Sequence, residues 1–169
     1  MSIVYHYTPG RKIGFIIQSG ELRPSSMYLL PGERGTVSFS TRSTWEPTSS
    51  GGASIDIFGK RHLITMEESD KIYGGLYRIA VSGDGLIRWG EWRKSSGASC
   101  RMIKHLEDEA IRQGSNVGYY RMTYDSVPMD KWLAVERWVG AQWVSLAKSE
   151  IKVIQEGQAI RLAPAISAS

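Results

Sequence analysis

Cysteine is nearly absent from this chain. Cys100 is the single thiol among 169 residues, so no internal disulfide can form and no Cys-rich zinc site can be built. Long apolar runs are also lacking. Arg, Lys, Gln or Glu interrupts every candidate before the roughly 18 residues that a membrane-spanning helix needs. The opening MSIVYHYTPGRK has no basic segment leading into an apolar core, so a secretory signal is not expected and the cytoplasm is the expected compartment. There is no block of Lys or Arg. A P-loop, a GxGxxG element and an HExxH helix are all missing. His6, His62 and His105 stand far apart without metal-ligand spacing, so no metal is expected, and the lack of a long apolar run means that no membrane partner is expected. Nothing near Cys100 in sequence would depress its pKa, which argues for an inert thiol.

What is present is the composition of a globular domain. Hydrophobic residues make up 41% and charged residues 22%, which excludes global disorder. The length suits one domain, expected over 1–162, with a small-residue tail at 163–169 expected to be disordered. Lys and Arg outnumber Asp and Glu by 21 to 17, giving a net charge of +4 and a pI near 9.2. The excess is spread along the chain, so an ordinary solvated surface and an anionic partner both remain open. Six Trp and eight Tyr are more than one small core needs. Some of Trp45, Trp89, Trp92, Trp132, Trp138 and Trp143 are expected to line a groove for a planar ligand.

Periodicity gives the elements. Ile3 to Tyr7 reads as a strand. Arg11 to Ser19 has Ile13, Ile16 and Ile17 at helical spacing, with Gly20 as its cap. Thr36 to Ser40, Leu76 to Val81 and Tyr119 to Tyr124 read as strands, and Leu86 to Trp92 as a strand or an irregular segment. Thr65-x-x-Glu68 is a capping box. Ser99 to Gln113 is the strongest helix pattern, with Ile103, Leu106 and Ala110 on one face and Gly114 as the stop. Lys131 to Val139 alternates, placing Trp132, Ala134, Glu136 and Trp138 on one face, and turns at Gly140-Ala141 into a hairpin with 142–146. The sum is an α+β domain with a bent, mostly antiparallel sheet and a few short helices.

Three segments carry the chemistry: Tyr5-His6-Tyr7-Thr8, Val37-Ser38-Phe39-Ser40-Thr41 running into Trp45-Glu46-Pro47, and Val127-Pro128 leading to Glu136. Their arrangement resembles the ADP-ribosyltransferase-like fold over the first 45 residues and over 119–146. The resemblance implies that His6 contacts the ribose, that Ser40 and Thr41 shape a nicotinamide pocket, and that Glu136 is the late-strand carboxylate acting on NAD. It departs from the family at Phe39, where a Tyr is frequent, so stacking would fall to Tyr7 or Trp45. It departs again at Ala134, which leaves no Glu-x-Glu pair and argues against arginine-directed modification. Arg78 and Arg42 are candidates to pair the pyrophosphate. A carboxylate beside the ribose would stabilise the oxocarbenium-like centre formed as the glycosidic bond breaks.

The implied function is transfer of ADP-ribose from NAD to a protein or nucleic acid, as in a toxin or a phage- or defence-related modifier. The alternative is a non-catalytic module that holds a nucleotide, a nucleic acid or a protein partner in the same cleft. Three expectations follow. His6, Ser40 and Glu136 line one pocket, and the enzyme reading fails if His6 and Glu136 lie on opposite sides of the sheet. The 44–54 loop is a mobile lid anchored by Trp45. Glu136→Gln ends turnover and leaves the fold intact, unless Glu136 serves a neighbouring Arg or Lys, in which case Glu46 is the next carboxylate to consider.

Overall fold

The computed structural model describes residues 2–25, 29–50, 53–55 and 61–156. The tail at 163–169 lies outside the described residues. The chain is α+β. Among the described residues, strands β1 (Ile3–Pro9), β2 (Glu21–Leu22), β3 (Val37–Ser40), β4 (Ala53–Ile55), β5 (Arg61–Leu63), β6 (Leu76–Ser82), β7 (Ile87–Arg88), β8 (Tyr120–Thr123), β9 (Val127–Pro128), β10 (Trp132–Trp138) and β11 (Trp143–Ser145) are interspersed with five α-helices. These are α1 (Gly10–Ser19), α2 (Met66–Ile72), α3 (Trp89–Ser95), α4 (Cys100–Arg112) and α5 (Lys148–Gln155). Seven strands form one sheet in the order β11-β10-β6-β1-β3-β8-β7, with antiparallel pairing throughout. The small pairs β2-β9 and β4-β5 stand apart from it.

Local chemistry explains several element ends. The α1 helix stops at Gly20, whose φ of 71° is the left-handed conformation that favours glycine, and its N–H donates to the Ile17 carbonyl at 3.2 Å. The capping box forms as the sequence predicts: the Glu68 N–H donates to Thr65 Oγ1, and the Thr65 N–H to Glu68 Oε2. Ser99 caps α4 by accepting from the Met102 N–H at 3.2 Å. Several elements differ from expectation, among them two that side-chain packing explains. The 86–92 segment is a two-residue strand followed by α3, because Trp89 and Trp92 sit at i, i+3 spacing and bury together. The α5 helix was not anticipated, although Ile151 and Ile154 at i, i+3 give it an apolar face against α1.

Register divides the side chains between two faces, since paired residues share a face and neighbours alternate. One face carries Val4, Val37, Phe39, Tyr77, Ile79, Val81 and Val135, packed with Ile13 and Ile17 of α1 and Ile154 of α5. The other holds Met122 beneath Trp89, Trp92 and Ile103 at the β8 end. Helices therefore cover opposite faces at opposite ends of the sheet. The second face is left to form a cleft over β1, β3 and β8.

The alternation expected in β10 breaks at Leu133. Trp132 pairs with Val81, Ala134 with Ala80 and Glu136 with Arg78, so a bulge separates Trp132 from the residues below it. Trp132 consequently joins the α1-side core, while Ala134, Glu136 and Trp138 keep the cleft face.

Candidate functional site

A cleft of about 380 Å³ opens on the second face. Aromatic rings dominate its wall: Tyr5 and Tyr7 from β1, Tyr120 from β8, and Trp89 and Trp92 from α3. The two indoles stack with centroids 4.8 Å apart, and Tyr120 meets Trp89 edge-on at 6.0 Å. Between the rings lies a polar strip of Ser38, Ser40, Glu46, Thr48 and Ser49.

Glu46 is the centre of that strip. It is 4% exposed, yet it carries a carboxylate. A buried carboxylate needs donors, and hydroxyls supply them. Ser40 Oγ donates to Glu46 Oε2 at 2.9 Å, and Thr48 Oγ1 donates to Oε1 at 2.9 Å. The Tyr120 hydroxyl donates to Thr48 Oγ1 at 3.0 Å, and the Arg42 N–H donates to Ser40 Oγ at 3.2 Å. Ser49 Oγ closes the turn on the Glu46 carbonyl at 2.7 Å. Burial raises the Tyr120 phenol above its ordinary pKa of 10.0. The sequence pointer to Glu46 was an acid placed between a strand ending Ser-Thr and the hydroxyl run Pro47-Thr48-Ser49.

The loop that presents Glu46 is fastened to the sheet through three successive carbonyls. The Tyr7 hydroxyl donates to the Arg42 carbonyl at 2.6 Å, Arg78 Nη1 to the Ser43 carbonyl, and Trp143 Nε1 to the Thr44 carbonyl at 2.8 Å. These donors come from three strands, so residues 42–44 are a fixed ledge rather than the start of a mobile lid. The loop does border the cleft through Glu46, Thr48 and Ser49, but Trp45 does not. Trp45 lines a separate cavity of about 420 Å³ with Leu63, Ile64 and Met66. Its expected role as the ligand anchor is therefore corrected. Of the expected 44–54 lid, residues 51 and 52 lie outside the described residues.

The other candidates sort by register. Ser40 and Tyr7 line the cleft, and burial pushes the Tyr7 phenol up to about 12, against the smaller opposing effect of the Arg78 guanidinium. Arg78 and Glu136 lie on the cleft face beside it. Arg78 Nε donates to Glu136 Oε2 at 2.6 Å, and its guanidinium sits 4.2 Å from the Tyr5 ring centroid and 4.4 Å from that of Trp143. Arg78 is thus fully engaged by the protein and is not a free phosphate anchor. Arg42 turns away from the cleft: its Nη1 donates to the Gly114 carbonyl at 3.0 Å, and its guanidinium lies 5.6 Å from the Tyr119 ring centroid. Thr41 uses its N–H to bond the Tyr119 carbonyl at 2.9 Å and does not line the cleft.

The expected pairing of His6 with Glu136 is not formed. His6 is the register partner of Ile79 and Glu136 that of Arg78, so their side chains take opposite faces. His6 borders the cleft along its strand. Its imidazole, however, meets Phe39 edge-on at 6.0 Å, and Nδ1–H donates to the Ser38 carbonyl at 2.9 Å. Burial holds it below its ordinary pKa of 6.5. This is a hydrogen-bonded structural histidine, and the catalytic pair built on it is withdrawn.

Among the described residues, no group of three His, Cys, Asp or Glu side chains is placed to hold a metal ion, and no helix is long and apolar enough to cross a membrane. Compared with models of known protein families, with characterised proteins and with solved structures, the chain matches none.

Proposed function

We propose that the cleft binds a nucleotide, the chain acting first as a nucleotide-binding domain. The observation that carries this reading is the buried Glu46 carboxylate, held by Ser40 and Thr48 on a wall in which Tyr and Trp rings dominate. Rings suit a base, which presents a planar π-face. A carboxylate amid hydroxyls suits a ribose, whose hydroxyls both donate and accept. The cleft volume of about 380 Å³ falls in the range of small-molecule sites, roughly 300–1,000 Å³.

A second reading is transfer of ADP-ribose from NAD, on an ADP-ribosyltransferase-like fold. The version built on His6 and Glu136 fails, because their side chains take opposite faces of the sheet; the version that remains places the carboxylate at Glu46. What favours it is that Glu46 supplies a carboxylate inside the cleft itself. There it would stabilise positive charge developing on a bound ribose as the glycosidic bond to nicotinamide breaks.

The two readings separate in one preparation. NAD added to the protein is expected to change the fluorescence of Trp89 and Trp92, which form the wall. Nicotinamide released over time, lost in Glu46→Gln at unchanged melting temperature, supports the transferase. Saturable binding without release supports the binding domain. Absence of binding by NAD and by mononucleotides rejects both.

A further inference from the structure

We propose that the nucleotide in the cleft carries a 5′-phosphate, and that Arg11 and Lys12, at the junction of β1 and α1, hold it. The proposal rests on the nucleotide reading above and concerns the end of that ligand which the cleft itself does not hold.

A phosphate brings negative charge, and the cleft does not answer it. Among the described residues its lining includes no Arg or Lys, and its one carboxylate, Glu46, repels an anion. The neighbouring cations are already engaged, Arg78 by Glu136 and Arg42 by the Gly114 carbonyl. The phosphate of a bound nucleotide therefore has to lie beyond the cleft, against a wall that carries uncommitted cations.

A cavity that shares Ser49 with the cleft has such a wall. It measures about 250 Å³; Arg11, Lys12, Ser69 and Tyr73 line it, and no acid does. Ser49 Oγ already donates to the Glu46 carbonyl at 2.7 Å, so Ser49 borders both spaces and leaves the phosphate charge to the two cations. Arg11 is held with its guanidinium 4.9 Å from the Tyr73 ring centroid. The charge of Lys12 reaches the cleft border: after burial, the larger cause, it also lowers the pKa of His6. A different cavity, which shares Thr36, Trp92 and Leu106 with the cleft, offers an anion less, because Arg34 lines it together with the acid Glu33.

The sequence of α1 points the same way. The positive end of a helix dipole favours acids, yet the first turn of α1 holds Arg11 and Lys12 and no acid. Among the described residues neither cation has a carboxylate partner. The first two N–H groups of the helix are spent, Gly10 donating to the Gly75 carbonyl and Arg11 to the Tyr73 carbonyl. The side chains remain, and they give a phosphate one planar fork and one point charge. A bound phosphate offsets the repulsion that this arrangement otherwise leaves.

Calorimetric titration tests this by comparing adenosine, guanosine, cytidine and uridine with their 5′-monophosphates. It is run on the native protein, on the double variant Arg11→Gln, Lys12→Gln, and on Arg34→Gln. In the native protein the monophosphate of the preferred base is expected to bind about tenfold more tightly than its nucleoside, as two exposed charge contacts would give. That ratio is expected to fall as salt is raised. Both substituted side chains are exposed, so the double variant is expected to keep the native melting temperature and nucleoside affinity and to lose the ratio. Arg34→Gln is expected to keep it. A nucleoside that matches its monophosphate in the native protein overturns the subsite and leaves the nucleotide reading in place. So does a ratio that survives in the double variant, or one that is lost in Arg34→Gln instead. Binding by none of these ligands overturns the subsite, and the nucleotide reading with it if NAD fails as well. If the double variant does not fold, the ratio in Lys12→Gln decides.

Discussion

Arg78 of β6 and Glu136 of β10 are register partners, joined by a 2.6 Å hydrogen bond from Arg78 Nε to Glu136 Oε2. Their side chains are 8% and 16% exposed. The guanidinium also lies between the Tyr5 and Trp143 rings and holds the Ser43 carbonyl. One cation thereby ties β1, β6, β10, β11 and the 42–44 ledge together. Its charge is tolerable inside the protein because Glu136 answers it.

Glu136→Gln should therefore act on stability before it acts on chemistry. Removing one partner of a buried pair costs about 3–5 kcal/mol, less here for the residual exposure of Glu136, so a loss of about 2–4 kcal/mol is expected. At this chain length each kcal/mol lowers the melting temperature by about 2–4 °C. The double variant Arg78→Met, Glu136→Leu should recover much of the loss, because no charge is then left unpaired. A Glu136→Gln protein of native melting temperature that has lost all nicotinamide release would return Glu136 to the catalytic role.

Trp45→Ala should leave nucleotide affinity within about twofold of native, since the ring lines the cavity beyond the ledge and not the cleft. Trp143→Phe should weaken binding more, although Trp143 does not line the cleft either. It removes the N–H that holds the Thr44 carbonyl, at a cost of about 1 kcal/mol, and frees the ledge that positions Glu46. Affinity measured on both variants checks the order.

Alkaline stability should report Tyr7. Its phenol titrates at about 12 in the fold against 10.0 unfolded. The folded state thus holds its proton longer, and the stabilisation is complete below about pH 10 and is lost as pH rises towards 12. Tyr7→Phe should flatten that limb of a stability curve, in addition to removing the bond to the Arg42 carbonyl. His6 works in the opposite sense. Its pKa is lowered by burial, so stability falls as pH drops below 6.5, and His6→Gln should reduce that acid slope. Denaturant midpoints across pH 4–12 read both.

Gly10→Ala should be among the most damaging small substitutions. A Cβ there would stand 2.0 Å from the Gly74 carbonyl oxygen, and the Gly10 N–H already donates to the Gly75 carbonyl at 2.7 Å. Forcing backbone apart at this junction of β1, α1 and β6 is expected to cost about 1–3 kcal/mol or more. Gly14→Ala, where nothing lies within 4 Å, is the matched control and should stabilise or do nothing.

Much of this fold is written in local pattern. The Ile13, Ile17 and Gly20 spacing marks α1, Thr65 and Glu68 mark the start of α2, and Ser99 to Gly114 frames α4. Strand-forming runs mark β1, β6 and β8, and period-two alternation marks β3 and the β10-β11 hairpin. The misses have local causes. One bulge at Leu133 moves Trp132 to the other face, and no propensity signals a bulge. Trp89 and Trp92 read as part of a strand or an irregular segment until their partners Ile103 and Met122 are known. The site was legible as residue types and not as faces. Ser40 and Tyr7 do reach the cleft, while His6 and Glu136 are parted by a register relation between β1, β6 and β10 that is long-range in sequence. Glu46 emerged as the central carboxylate only once folding brought Ser40, Thr48 and Tyr120 around it.

The most direct test is a crystal structure of the protein with NAD. The account predicts ligand density in the cleft, with a planar ring within about 4 Å of the Tyr and Trp side chains and a ribose hydroxyl in hydrogen-bond reach of Glu46. An empty cleft at saturating NAD, or NAD bound on the sheet face that carries the His6 imidazole, would contradict it.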